Sequence, residues 1–428
     1  MAELIDIKAE SAEKQRAMLV GIRRPDESEA QASGMLDELA ELAKNLDIEV
    51  VGREIAYLRE PSAHFLVGAG KFAQITEKAH SLNVDAIIFD DELSPAQQRN
   101  WERESHLSII NRQEVILDIF ASRAQTKEAC LQVELAQLEY ALPRLRRAWS
   151  HLDRQRGGGV TQRGGGESQL ELDKRFISDK IAKLKVELEK VRTMRSVQRK
   201  RRMRVPVPTS AVVGYTNAGK SSLINALANA GLLAQDKLFA TLDPTTRRLK
   251  LPNGSEVLLT DTVGFVRKLP HRFVEAFKAT LEEAVVSEFL IHVVDCSNPD
   301  AIEHIKTTFK VLEELGADNK KIIMVMNKVD SINDDAQFYE LKSLYPEAVW
   351  TSARTGAGLD ELLARIEAMI SDSSKLMKLL IPHSEYKAVA ELHKLGAITL
   401  QRDVDNGVEI LARVPIRLFD AFSKWSQS

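Results

Sequence analysis

Apolar residues fall into four successive patterns along the chain. Over the first hundred or so positions, short apolar runs alternate with helical spacing. Met18–Ile22, Ile48–Tyr57, Phe65–Gly68, Ala86–Asp90 and Ser108–Asn111 read as strands. Glu27–Leu46 and Gly70–Leu82 read as amphipathic helices, and a further helix opens at Ser94-Pro95, where Ser suits the cap and Pro the first helical position. Strands alternating with helices predict a small, mainly parallel α/β domain over residues 1–112. The second pattern is helical throughout. Leu131, Leu135, Leu138, Leu142 and Leu145 recur at intervals of four and three within a helix expected over 112–153, and Leu170, Ile177, Ile181, Leu184, Leu188 and Val191 do so over 167–203. Two such stripes joined by one loop predict an antiparallel helical hairpin over 113–204, with its tip at 155–168.

From 205 to 373 the runs become continuously apolar, as in strands buried on both faces of a parallel sheet: Ser210–Gly214, Glu256–Thr260, Phe289–Val294, Lys321–Met326 and Ala348–Ser352. The last stretch, 374–428, predicts a small α+β unit. It comprises a strand from Lys375, a helix over 384–395, a hairpin turning at Asp405-Asn406-Gly407 and a final helix over 417–425. The fold class expected is thus α/β, with a hairpin inserted and an α+β tail.

Composition narrows this picture little: 428 residues, 44% hydrophobic and 28% charged, describe a globular chain of two to four domains. No apolar run approaches 18 residues and no signal peptide leads the chain, so neither a spanning helix nor secretion is expected. Cys130 and Cys296 stand far apart without metal-ligand spacing and read as reduced thiols of a cytoplasmic protein. The net charge of −3 hides a sharp asymmetry. Arg144, Arg147, Arg154, Arg156 and Arg163 crowd the hairpin tip, where residues 155–168 hold six glycines. Residues 190–204 carry eight Lys or Arg and no acid, among them Arg199, Lys200, Arg201 and Arg202. A solvated turn and a solvated helix face would look similar. So many glycines cost backbone entropy on ordering, and arginine forks suit RNA phosphates, so both clusters are expected to touch RNA.

The chemistry centres on Gly214-Tyr215-Thr216-Asn217-Ala218-Gly219-Lys220-Ser221, followed by Ser222. It sits between a strand and a helix and fills the G-x-x-x-x-G-K-[ST] spacing. Glycines let the backbone wrap a phosphate, and the loop and helix N–H groups form an anion cradle. Lys220 can reach the β- and γ-phosphates, and the Ser221 hydroxyl can ligate Mg²⁺. About forty residues later, Asp261-Thr262-Val263-Gly264 ends a strand with a carboxylate for Mg²⁺, through water, and an N–H for a γ-phosphate. Asn327-Lys328-Val329-Asp330 tips another strand. Its Asp330 carboxylate can accept both N1–H and the 2-amino group of guanine, which argues for GTP over ATP. Ser352-Ala353-Arg354 ends the next strand, where a backbone N–H can meet the guanine O6.

These elements, in this order, resemble the G1–G5 set of the translation-factor-related GTPases. Gly-Tyr-Thr-Asn-Ala-Gly-Lys-Ser, Phe-Ala-Thr-Leu-Asp-Pro-Thr and Asp-Thr-Val-Gly-Phe are each similar to the HflX family of ribosome-associated GTPases. Within Phe239-Ala240-Thr241-Leu242-Asp243, the switch that senses the γ-phosphate, Thr241 is the expected Mg²⁺ ligand, with Thr245 as the other candidate. The resemblance implies catalysis by Lys220, Thr241 and Gly264, Mg²⁺ held by Ser221, Thr241 and Asp261, and GTP and GDP as ligands. It also makes Asn217 a candidate K⁺ ligand. It implies a monomeric partner of the large ribosomal subunit, not of DNA, that splits or rescues stalled or idle ribosomes. The Gly-rich tip resembles the family's loop that reaches the peptidyl-transferase region, with Gly164-Gly165-Gly166-Glu167-Ser168-Gln169 where relatives have Gly-Pro-Gly-Glu-Thr-Gln. In this family the N-terminal domain has been linked to adenine nucleotides, for which these residues offer no derivable site. Gly68-Ala69-Gly70-Lys71 lacks the fuller phosphate-loop spacing and reads as a tight strand-to-helix turn. Two rivals remain, a GTPase partner in tRNA modification and a nucleotide-gated RNA scaffold with negligible turnover. Phe265 stands where many switch GTPases carry a water-orienting Gln, so turnover is expected to be slow alone and to rise with the ribosome.

Overall fold

The computed structural model describes residues 14–145, 169–203, 207–228, 239, 244–268, 283–332, 334–372, 374–394, 398–415 and 418–427. They form two compact units, one running to Glu187 and one starting at Leu188.

The first unit opens with β1 (Arg16–Arg23), α1 (Glu29–Asn45), β2 (Glu49–Tyr57), α2 (Ala69–Ser81), β3 (Ala86–Phe89), α3 (Pro95–Ser105) and β4 (Ser108–Asn111). Its sheet runs β2-β1-β3-β4 with every pair parallel. Every residue of β3, and the six central residues of β1, are buried, as strands covered on both faces must be. The helices begin where the sequence places polar caps. Ser28 accepts the Gln31 N–H while Gln31 accepts the Ser28 N–H, and Ser94 with Gln97 repeats this box ahead of Pro95.

Two expectations need correction. Phe65–Gly68 is not a strand of the sheet: only isolated bridges, Ser62 with Leu66 and Phe65 with Val67, form there, and Leu66 adopts φ 70°. The segment turns sharply so that the Phe65 ring stacks on Phe72, 4.0 Å away, while its carbonyl accepts the Trp101 indole N–H at 2.8 Å. The continuous helix expected over 112–153 is two helices, α4 (Arg112–Arg123) and α5 (Lys127–Leu145). The chain leaves helical geometry at Ala124, and the Thr126 hydroxyl accepts the Ala129 N–H to start the second.

α5 buries Leu131, Leu135 and Leu138, and the long α6 (Gln169–Met203) buries Leu184 and Leu188 of the predicted stripe. Each such leucine contributes about 1.5–3 kcal/mol of burial. Lys180–Glu134 and Lys185–Glu139 ion pairs link the two helices.

The second unit holds β5 (Thr209–Gly214), α7 (Lys220–Ala228), β6 (Thr245–Lys250), β7 (Glu256–Asp261), β8 (Phe289–Asp295), α8 (Ala301–Glu314), β9 (Lys321–Asn327), α9 (Asp335–Leu344), β10 (Val349–Trp350) and α10 (Leu359–Asp372). Strand order is β10-β9-β8-β5-β7-β6, parallel except for β6, which forms an antiparallel hairpin with β7. β5 is thus central, with β7 and β8 on either side. The loops that follow β5 and β7 consequently meet at the same edge of the sheet. An antiparallel sheet of β11 (Ser374–Ile381), β13 (Gly407–Pro415) and β12 (Ile398–Val404) follows, with α11 (Tyr386–Lys394) and α12 (Phe419–Ser423).

Candidate nucleotide site

The site grows from the end of β5. There the chain passes Gly214, Tyr215 and Thr216, turns through Asn217 in the left-handed region at φ 60°, and enters α7 at Lys220. Gly219 sits at φ 89°, and a Cβ there would collide with the Asn327 amide. Lys220 is buried, and its ammonium donates to the carbonyls of Gly214 (3.1 Å) and Tyr215 (2.7 Å). Burial brings this amine down to about 8, against the upward pull of Asp261. Ala218 and Thr216 are buried, and Thr216 Oγ1 has no hydrogen-bond partner among the described residues. Asn217, Ser221 and Ser222 are half-buried along the rim. An amine held by carbonyls beside a hydroxyl without a partner among the described residues is a donor set suited to a polyanion.

β7 brings in the second element. Asp261 is buried and accepts the Ser221 hydroxyl at 2.6 Å, which places one alcohol and one carboxylate oxygen side by side. That all-oxygen pair fits Mg²⁺, a hard cation. Thr262 donates to the Val212 carbonyl at 2.7 Å, and the buried Val263 leads to Gly264. A Cβ on Gly264 would lie 2.7 Å from Thr216 Cα and 2.9 Å from Lys220 Nζ. Only glycine lets the loop lie this close to the lysine. Phe265 is 1% exposed, its ring in the core.

Asn327, at the end of β9, ties three elements together. Its Nδ2 donates to the Ala218 carbonyl at 2.9 Å, and its Oδ1 accepts the Ala353 N–H at 3.1 Å. Lys328 turns through φ 66° and pairs with Asp295 at 2.7 Å, while Val329 starts a short 3₁₀ turn. The Asp330 carboxylate accepts from Ser352 Oγ, pairs with Arg354 and also accepts from Ser331 at 3.1 Å. These hydrogen bonds, Ser352 first, hold it below the usual carboxylate range. Phosphate-side and base-side elements therefore converge at one sheet edge.

Relatives of known name share nearly the whole chain. A GTPase HflX from Akkermansia muciniphila is 44% identical, with 97% of this chain and 98% of the relative covered. The GTPase HflX of Escherichia coli is 39% identical over 89% of this chain and 90% of the relative. The chain belongs to the HflX family. Family models described as GTP-binding GTPase N-terminal, GTP-binding GTPase Middle Region and 50S ribosome-binding GTPase match residues 33–121, 123–202 and 209–328. Among solved structures, a crystal structure described as SsGBP in complex with GDP is 27% identical and covers 84% of this chain and 99% of its own, at a TM-score of 0.46. As an HflX-family member the chain is a GTP-binding GTPase, and the convergent loops are where the sequence puts that chemistry.

The switch segment and the arginines named from the sequence are described only in part. Phe239 is buried at φ 55°, and Ala240, Thr241, Leu242 and Asp243 lie outside the described residues. Thr245, the other switch candidate, is the exposed first residue of β6. Arg147, Arg154, Arg156 and Arg163 also lie outside the described residues, and Arg199 to Arg202 ride the last turns of α6. Arg144 lies at the end of α5. Its guanidinium carbon lies 3.4 Å from the Tyr140 ring centroid, and its nitrogens donate to Gln98 (3.2 Å) and the Tyr140 carbonyl (3.1 Å). These contacts tie its side chain to the first unit.

Sequence reasoning missed the ring of side chains behind the loop. His304 of α8 stacks on Tyr215, and Arg267 pairs with Asp300 at 3.2 Å. No local spacing signals these contacts, because they join residues up to 89 positions apart.

Proposed function

We propose that this chain is a GTP-hydrolysing factor that binds the large ribosomal subunit and splits or rescues stalled or idle ribosomes, with hydrolysis controlling release. The observation that carries the reading is the match of residues 209–328 to a 50S ribosome-binding GTPase, a span that includes the glycine-rich loop, the Ser221–Asp261 pair and Asn327. The working division is an α/β domain (1–112), a hairpin with a basic Gly-rich tip (113–204), a GTPase domain (205–373) and an α+β tail (374–428). The hairpin's arginines, Arg147, Arg154, Arg156 and Arg163, together with Arg199 to Arg202, meet ribosomal RNA phosphates.

At the nucleotide, Lys220 exchanges its two carbonyl contacts for β- and γ-phosphate oxygens. Ser221 and Asp261, with Thr241, would hold Mg²⁺, which would supply charge neutralisation at the phosphates. Asn217 would help hold K⁺, which would supply further positive charge to the phosphates. Gly264 presents its N–H to the γ-phosphate, and Asp330 reads guanine once Arg354 swings aside. The ring of Phe265 offers no hydrogen bond to a water, so turnover is slow alone and rises when the ribosome orders Thr241. The protein is a cytoplasmic monomer; among the described residues no helix is long and apolar enough to cross a membrane.

Initial GTPase rates with large subunits, with tRNA and with neither test this reading, each in K⁺ and in Na⁺ at equal ionic strength. Stimulation of about a hundredfold or more by subunits alone is expected, the scale at which a partner completes a phosphoryl-transfer site. Stimulation by tRNA instead would favour a modification partner, and no stimulation would leave a scaffold. Identical rates in the two salts would remove the K⁺ role.

A further inference from the structure

Three contacts close a ring around the segment that follows Gly264. The Tyr215 hydroxyl accepts the Arg267 N–H at 2.7 Å. The Arg267 guanidinium pairs with Asp300, the residue before α8. One helical turn on, the His304 imidazole lies flat on the Tyr215 ring, with centroids 3.6 Å apart and planes 6° from parallel. Two main-chain bonds lie inside the ring: Thr216 N–H donates to the Phe265 carbonyl at 2.8 Å, and Phe265 N–H donates to the Gly214 carbonyl at 3.1 Å. The segment is therefore fastened to the phosphate loop at its start and to both loop and α8 at its end. Burial and the nearby Arg267 bring His304 down to about 4, so the imidazole is neutral near pH 7 and stacks as an uncharged ring.

We propose that Tyr215 is a positioning residue for GTP hydrolysis, which sets the height of Gly264 over Lys220 through Arg267 and couples that height to α8 through His304. The phenol oxygen is engaged by the Arg267 N–H. It acts by fixing where the Gly264 N–H can point, and that position leaves no space for a side chain. Because one oxygen serves Arg267 and one ring face serves His304, a shift of α8 and a shift of the Gly264 loop cannot occur independently. The inference rests on the GTPase reading of these loops and is independent of the ribosomal partner.

The test uses the full chain without ribosomes. Tyr215→Phe removes the oxygen and keeps the ring; His304→Ala removes the stack and keeps the oxygen. Each is expected to lower kcat about fivefold to tenfold, the worth of one hydrogen bond or stacked pair in the reacting arrangement. GDP affinity should stay within about twofold, because Lys220, Ser221 and Asp330 are untouched. The double variant should be no slower than the slower single, since both act through one link. Amide exchange over residues 262–268 should quicken in Tyr215→Phe. A kcat within twofold of the parent would overturn the proposal, as would a parallel loss of GDP affinity, which would mean general loop damage. Loss of GDP binding by the parent chain would instead count against the nucleotide reading itself.

Discussion

The two α/β sheets in this chain, one parallel and one mostly parallel, end in opposite ways. In the second unit the strand ends leave Lys220 bonded to two loop carbonyls and Ser221 facing Asp261, an arrangement a phosphate and a cation can take over. In the first unit the strand ends are closed by ion pairs. Arg112, just past β4, pairs with Asp90 at 2.6 Å, both deeply buried, and with the half-buried Glu38, and Arg24, just past β1, pairs with Asp91 at 2.7 Å. The two glycine-lysine turns differ likewise. Lys71 of Gly68-Ala69-Gly70-Lys71 pairs with Glu54 at 2.6 Å, and neither Gly68 nor Gly70 has an atom near enough to forbid a side chain. Glycines at Gly219 and Gly264, by contrast, are required by what presses on them. The fold class is shared; what differs is whether charge at the strand ends is already neutralised from within.

That contrast makes sharp predictions. Arg112→Ala removes the cation that pairs with the buried Asp90 and should destabilise the first unit by about 3–5 kcal/mol, while GDP affinity stays unchanged. Chemical unfolding followed alongside nucleotide binding checks both halves. Next in size, Asp330→Asn turns one guanine acceptor into a donor. It should weaken GTP binding by about tenfold to a hundredfold, the worth of a hydrogen bond to a charged group, and improve XTP binding. Unchanged GTP affinity with no gain for XTP would break the assignment of Asp330.

A smaller effect is the response to pH, which should have opposite sign in the two units. Burial raises Asp118 to about 6 and raises Glu114, so the folded first unit holds protons that the unfolded chain releases, and its stability falls as pH rises from about 4 to 6. Burial lowers His292 to about 3 and His304 to about 4. The unfolded chain therefore binds protons that the folded second unit refuses, and stability there rises with pH up to about 6.5. Amide-exchange protection of α4 and of β8, compared at pH 5 and 6.5, reads the two signs separately.

Much of this was legible in the sequence because the signals are local. Ser94-Pro95 starts a helix, Leu184 and Leu188 point inward, and the loop from Gly214 to Ser221 turns between strand and helix as its spacing demands. The failures are equally physical. Phe65–Gly68 has the apolar run of a strand, but its side chains pack against α2 and α3 in a turn. The β6–β7 hairpin went unread because Thr245–Lys250 is mostly exposed and polar, although Asn253-Gly254 marks its turn. The Arg144–Tyr140 contact follows from their spacing of four on one helix, whereas the bond from Arg144 to Gln98 joins residues 46 positions apart and has no local signal. The Tyr215–His304 stack depends on tertiary packing alone.

The most direct test of the central contrast is a calorimetric titration with GDP of the parent chain, Lys220→Ala and Lys71→Ala. The account predicts one GDP per chain, affinity reduced about a hundredfold or more in Lys220→Ala, and parent-like binding in Lys71→Ala, whose ion pair is worth no more than about 1 kcal/mol of stability. Binding that survives Lys220→Ala, or that is lost in a folded Lys71→Ala, would contradict it.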